Sequence, residues 1–262
     1  MSKLWDQMLL VPSVVRLTSR APKDPSAAWD GYWRGIHTTG RSGDVLWDSG
    51  SQTEHEQYTD ALLGHFNPAL PVIDVGCGNG TNTRWLAGLF PSVIGIDVSV
   101  GAIELARREA AGLHNVDFMV MDATEAGVGE HLLELLGPAN VFVRGVFHVL
   151  KPDKQSRLAA NLRTVVGSSG RVFLAETNFP GSSLAYLQQL GATRRSMPPQ
   201  LQRALENLPR PGHFGVQERQ NTFPDADWQL IADGPAHIEV TPMNASGHSQ
   251  QVPGYFALLA GA

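Results

Sequence analysis

From Thr53 onward the apolar positions of the chain keep changing period. Tyr58, Leu62, Leu63 and Phe66 recur at helical spacing, with Thr53 placed as an N-cap and Glu56 three residues later to complete a capping box. Beyond them, short apolar runs alternate with amphipathic stretches. Runs without polar alternation are buried on both faces, and helices are what joins parallel strands, so the pattern predicts βαβ units in a mostly parallel sheet. Strands are expected over residues 71–75, 93–97, 116–121, 141–144 and 170–176, with helices over 82–89, 100–111, 129–136 and 154–166.

Residues 180–222 break this rhythm. Leu184, Leu187 and Leu190 predict one short helix, and Leu201, Ala204, Leu205 and Leu208 a second, bounded by Pro198, Pro199, Pro209 and Pro211. This is read as an inserted pair of cap helices. Sheet-like runs return over 237–241 and 255–260. The first 50 residues hold no sustained period and read as loop with short helical pieces. Trp5, Trp29, Tyr32, Trp33 and Trp47 are nevertheless costly to leave in water, so this tail is expected to lie over something. The organisation predicted is an aromatic N-terminal lid over residues 1–52 and one domain over 53–262 that carries the insertion.

Composition narrows the field. Hydrophobic residues make up 42% of the 262, ample for one large core, and 20 basic against 25 acidic residues leave a net charge of −5 with no basic stripe for a nucleic-acid backbone. Cys77 is the one cysteine, which excludes an intrachain disulfide and any multi-thiolate metal site. Acidic and polar residues interrupt the start of the chain where a signal peptide needs an apolar run, and no stretch reaches the ~20 apolar residues of a membrane span. A cytoplasmic protein without membrane, nucleic-acid or metal partners is expected, its oligomeric state open and a homodimer one option.

The chemistry concentrates in Pro71-Val72-Ile73-Asp74-Val75-Gly76-Cys77-Gly78-Asn79-Gly80-Thr81, an apolar strand running into a glycine-rich turn. Glycine suits such a turn because it accepts positive φ and lets a ligand approach the backbone. A dinucleotide fingerprint would require a third glycine at 81, where Thr81 stands. The glycines fall instead as G-x-G-x-G, two residues after Asp74. Asp97 ends the second apolar run, where a carboxylate can accept from both hydroxyls of a ribose, and Asp122 ends the third. The three aspartates stand 23 and 25 residues apart, each step long enough for one helix and one strand.

This turn, with acids at successive strand ends, resembles motif I and its partners in the class I S-adenosylmethionine methyltransferases. The resemblance is specific over 71–122, looser over 141–176 and topological beyond. It implies an α/β fold, a doubly wound, mostly parallel, seven-stranded Rossmann-like sheet, with S-adenosylmethionine as cofactor and S-adenosylhomocysteine as product. It assigns cofactor contacts to Asp74, Gly76, Gly78, Asn79, Gly80, Thr81, Asp97, Val98, Asp122 and Ala123, with Asp122 accepting from the adenine amino group. Aspartates after strands also cap helices, a role either Asp97 or Asp122 alone fills equally well. Cys77 is simply a small turn residue; cytosine C5 chemistry needs a separate nucleophilic cysteine. The Asn/Asp-Pro-Pro-aromatic signature of amino-methylating nucleic-acid enzymes is absent after the fourth run.

Methyl transfer is an in-line displacement, so the protein mainly aligns the reactants and excludes water. His148, after the fourth strand, is the candidate general base, the alternative being a histidine packed on the next helix. Arg144 is the candidate for a cofactor or substrate carboxylate, or else pairs with a nearby aspartate. Glu176, Asn178 and His213, with Phe214 beside it, are candidates for the acceptor wall. Tyr32, Trp33, His37 and Trp47 are candidates on the lid, where aromatic faces suit a sulfonium and a planar acceptor or else pad the sheet edge. The expected function is methylation of an oxygen or nitrogen of a small organic acceptor, such as a secondary metabolite. The alternatives are a protein, peptide or RNA acceptor, or a cofactor-binding protein that does not methylate.

Overall fold

The computed structural model describes residues 3–41, 43–49, 52–193, 196–241, 243 and 250–262, with side chains from Leu9 onward. Two helices, α1 (Lys3–Thr18) and α2 (Pro25–Arg34), precede α3 (Thr53–His65). Strand and helix then alternate: β1 (Val72–Val75), α4 (Thr81–Ala87), β2 (Val93–Asp97), α5 (Val100–Glu109), β3 (Val116–Val120), α6 (Val128–Leu136), β4 (Asn140–Arg144), α7 (Pro152–Val166) and β5 (Arg171–Thr177). A 3-10 turn, Phe147–Val149, follows β4. Three short helices, α8 (Ser183–Gln189), α9 (Pro199–Asn207) and α10 (Val216–Thr222), lead to β6 (Trp228–Val240) and β7 (Gln250–Gly261).

These strands form one seven-stranded sheet in the order β3-β2-β1-β4-β5-β7-β6. β1 to β5 are parallel, and β7 enters antiparallel between β5 and β6. The strand order reverses at β1, which has β2 on one side and β4 on the other, and that reversal opens a crevice at the carboxyl ends of the strands. The sheet buries apolar residues on both faces. Ile73, Val75, Val141 and Val143 pack on one side with Leu158, Leu162 and Phe223, while Val72, Phe142 and Phe173 pack on the other with Leu62, Leu86 and Leu10.

The seven-stranded, mostly parallel α/β sheet is the one expected, and the first five strands lie within one residue of the predicted spans. Elsewhere the chain departs from expectation. The first 50 residues hold a 16-residue helix, α1, which continues through Pro12 because Leu10 and Leu17 are buried and the helix packs against α8 and α9. The side chain of Trp5 lies outside the described part. Helix α3 begins at Thr53 itself, so its N-cap is Gln52, without a side-chain capping bond. β6 runs nine residues further upstream than the 237 start expected, through Gly234 and Pro235, and α10 was not anticipated. β6 is an edge strand, where proline is tolerated, so a sequence that reads as a turn continues as strand. Among the described residues no helix is long and apolar enough to cross a membrane.

Candidate active site

The turn after β1 is built from three glycines with φ of 70°, 55° and 74° at Gly76, Gly78 and Gly80. Space as well as φ excludes a side chain. A Cβ on Gly76 would stand 2.5 Å from Val146 Cγ2, and one on Gly78 2.5 Å from Trp33 Cζ2. The backbone NH groups of Gly76 and Cys77 both donate to the carbonyl of Ile96, which pins the turn to the end of β2.

Three aspartates surround this turn in different states. Asp74 is buried behind it and accepts from Thr83 Oγ1 at 2.6 Å; burial pushes its carboxyl up to about 7, against the pull of that bond. Asp97 accepts from the backbone NH of Gly78 and of Ser99, each at 2.9 Å, and burial pushes it up to about 6 despite these bonds. Asp122 lies at the end of β3 with one oxygen taking Thr124 NH and Oγ1 at 2.9 and 2.6 Å, and Lys154 Nζ 3.5 Å from the other. Partial burial pushes its carboxyl up, but the Thr124 bonds and Lys154 outweigh it and leave the value lowered. Val98 and Ala123, each directly after an aspartate, are half-buried.

The N-terminal segment is stapled across this crevice. Asp30 of α2 accepts from Gly101 NH at 2.9 Å and Ser99 Oγ at 3.1 Å, tying α2 to the start of α5. Asp48 accepts from Asn79 Nδ2 at 2.9 Å and from Thr81 Oγ1 at 3.3 Å, tying the strap before α3 to the glycine turn. Trp47 stacks on Tyr32 and meets Trp29 and Trp33 edge-on. A cleft of about 460 Å³ remains between strap and sheet, walled by the glycine turn, Trp47, Asp48, His55, Trp85 and Arg144. His55 stacks flat on Trp85, centroids 4.2 Å apart, and burial pushes its imidazole down.

Arg144 points into this cleft fully engaged. Its Nε and Nη2 grip both oxygens of Glu54 at 2.8 Å, and it also donates to the carbonyls of Trp47 and Glu239. Pairing with a carboxylate is one of the two uses foreseen for it, though the partner is a glutamate of α3. His148 stands in the 3-10 turn with Nδ1 2.6 Å from Glu176 Oε2, and Glu176, fully buried at the end of β5, also accepts from the NH groups of Val146, Phe147 and His148. The bond holds one ring nitrogen and leaves Nε2 for other work.

The remaining predicted residues are scattered. Trp33 lies on the glycine turn and Trp47 on the cleft wall, but Tyr32 is fully buried inside the aromatic cluster. His37 is exposed, its backbone NH held by Asp44. Asn178 packs against Gly215, and exposed His213 pairs with Glu218 at 3.1 Å. Asp48, Glu54 and His55 went unrecognised: each reaches the cleft through contacts 30 to 90 residues away, to which periodicity is blind.

Chemically, the crevice offers carboxylate acceptors for hydroxyl and amino groups, a side-chain-free turn for close approach, and aromatic rings with surplus acid suited to a cation. That donor set fits an adenosyl sulfonium carrying an amino acid. Comparison with known proteins agrees. Residues 72–170 match a family model described as "Methyltransferase domain". Methyltransferase nsrG of Aspergillus novofumigatus is 27% identical over 76% of this chain and 75% of its own length. Aklanonic acid methyltransferase DauC of Streptomyces sp. (strain C5) is 33% identical over 44% of this chain, which spans about half (52%) of that protein. A crystal structure of a SAM-dependent methyltransferase from Anabaena variabilis superposes with a TM-score of 0.81 at 27% identity, covering 93% of this chain and 97% of that one. Sheet order, turn and relatives converge: the chain carries a methyltransferase domain over residues 72–170 and is similar along most of its length to a SAM-dependent methyltransferase.

Proposed function

We propose that this enzyme transfers a methyl group to an oxygen or nitrogen of a small organic acceptor bound beside the glycine turn, between the N-terminal strap, α3 and the end of β4. The observation that carries the reading is the cleft itself. The N-terminal segment acts as a lid over the glycine turn through Asp30, Trp33 and Asp48, and the cleft left beneath it, about 460 Å³, suits a compact acceptor better than a macromolecule. Relatives named for methylation, aklanonic acid methyltransferase among them, support an acceptor of that size.

When bound, S-adenosylmethionine supplies a methyl group on a sulfonium, open to in-line attack. Asp97 accepts from the ribose hydroxyls while holding Gly78 NH, so the same carboxylate shapes the turn and seats the sugar. Asp122 with Val98 and Ala123 frames the adenine end, and Gly76, Gly78, Asn79, Gly80 and Thr81 line the amino-acid end. His148 takes the acceptor proton on Nε2, and Glu176 fixes the tautomer that leaves this nitrogen bare. Trp47 and Trp33 exclude water from above.

The test is formation of S-adenosylhomocysteine by the purified enzyme across a panel of small phenols, hydroxyquinones and amines, set beside a protein, a peptide and an RNA substrate. Turnover confined to small acceptors is expected. Turnover on the macromolecules alone, or cofactor binding with no turnover on any acceptor, would overturn the reading.

A further inference from the structure

We infer that Asp48 is the residue that receives the α-ammonium of the cofactor's amino-acid end; the inference rests on the methyltransferase reading above and names one side chain within it. Asp48 is 6% exposed and forms part of the cleft wall. Its place is fixed from two directions. The backbone carbonyl accepts from Thr241 Oγ1 beyond β6 at 3.0 Å, and the side chain is bonded to Asn79 and Thr81 of the glycine turn. Whatever lies along that turn lies within reach of this carboxylate.

The two oxygens are used unequally. Gly40 NH, Asn79 Nδ2 and Thr81 Oγ1 all donate to Oδ2, whereas Oδ1 has no partner among the described residues and is not fully buried. A carboxylate anchored through one oxygen and open through the other is set to accept a charge-assisted bond from a cation.

Of the other acids around the crevice, Glu56 lines the cleft from the exposed face of α3, without the bonds to the glycine turn that hold Asp48, and the rest are committed elsewhere. Both oxygens of Glu54 are taken by Arg144, with Tyr58 Oη and Glu239 NH adding to them. Asp74 is buried behind the turn on Thr83. Asp97 and Asp122 stand at the ends of β2 and β3, on the nucleoside side. Arg144, neutralised by Glu54, does not repel a cation brought to Asp48.

Titration calorimetry of Asp48→Asn and wild type with S-adenosylhomocysteine and with its desamino analogue, which lacks only the α-amino group, tests the assignment as a closed cycle. Asp48→Asn should weaken S-adenosylhomocysteine roughly ten- to a hundredfold. The desamino analogue should bind wild type correspondingly weakly and the variant no more weakly still. Should Asp48→Asn fail to fold, Asp48→Ser, which keeps an oxygen for Gly40 and Asn79, takes its place. Equal weakening of both ligands, or a wild type indifferent to the amino group, would overturn the role of Asp48 and leave the enzyme a methyltransferase. A folded wild type that binds neither ligand would overturn both.

Discussion

Asp97 carries two loads that pull its ionisation in opposite directions. Burial raises its carboxyl to about 6, while the NH groups of Gly78 and Ser99, and the ribose hydroxyls it is proposed to accept from, favour the ionised form. A carboxyl raised in the fold above its unfolded 3.8 means that the folded chain binds the extra proton, so ionisation of Asp97 and Asp74 weakens the cofactor-free fold as pH rises from about 4 to about 7. Cofactor binding has the opposite dependence. Affinity for S-adenosylhomocysteine should be level above neutral pH and fall below about pH 6, approaching about tenfold per pH unit, and Asp97→Asn should bind weakly without that dependence. Calorimetry between pH 5 and 8 checks this, and a wild-type affinity flat across the range would contradict it. His148 is the second decisive residue. His148→Ala should lower kcat by about 10²–10⁴ with cofactor affinity unchanged, and Glu176→Gln should also lower it, since it disturbs the tautomer and orientation of the ring together with the turn whose NH groups Glu176 accepts. Unchanged turnover in steady-state assays would remove His148 from the mechanism.

Among the elements, β4 and α3 meet through a buried ion pair. The Arg144–Glu54 pair is nearly inaccessible, at 8% and 9% side-chain exposure, and through backbone carbonyls it gathers Trp47 of the strap and Glu239 of β6 at one point. Removing one partner strands a buried charge, so Glu54→Gln should cost about 3–5 kcal/mol, measured as a drop in the urea midpoint at constant m-value. A change under about 1 kcal/mol would show that the pair is well solvated. These same elements show what the linear chain reveals. Strands such as Val93–Asp97 are legible because a doubly buried parallel strand must be apolar throughout, and the turn at Gly76–Gly78 because only glycine fits it. β6 is hidden because Gly234 and Pro235 read as a turn, and only its place at the sheet edge lets them continue a strand. Asp48 and Glu54 are hidden for another reason: nothing local distinguishes them from any surface acid, and their meaning comes from partners at Asn79 and Arg144.

At the scale of the whole molecule, the sheet supplies a crevice and the N-terminal segment turns it into a chamber. Helix α2 and the strap add a small aromatic core of their own, Tyr32, Trp33, Ile36 and Val45 around Ala102 and Leu208, bound to the sheet domain by Asp30 and Asp48. The roof and the floor are therefore made by residues far apart in the chain, and both press on the glycine turn. Everything proposed for His148, Asp48 and the acceptor depends on that turn seating an adenosyl sulfonium. The most direct test is titration calorimetry of the folded 262-residue chain with S-adenosylmethionine, S-adenosylhomocysteine and NAD. Single-site binding of the first two, none of NAD, and loss of both signals in a folded Asp97→Ala variant is the predicted result; no heat with either adenosyl ligand, or undiminished binding by the variant, would contradict it.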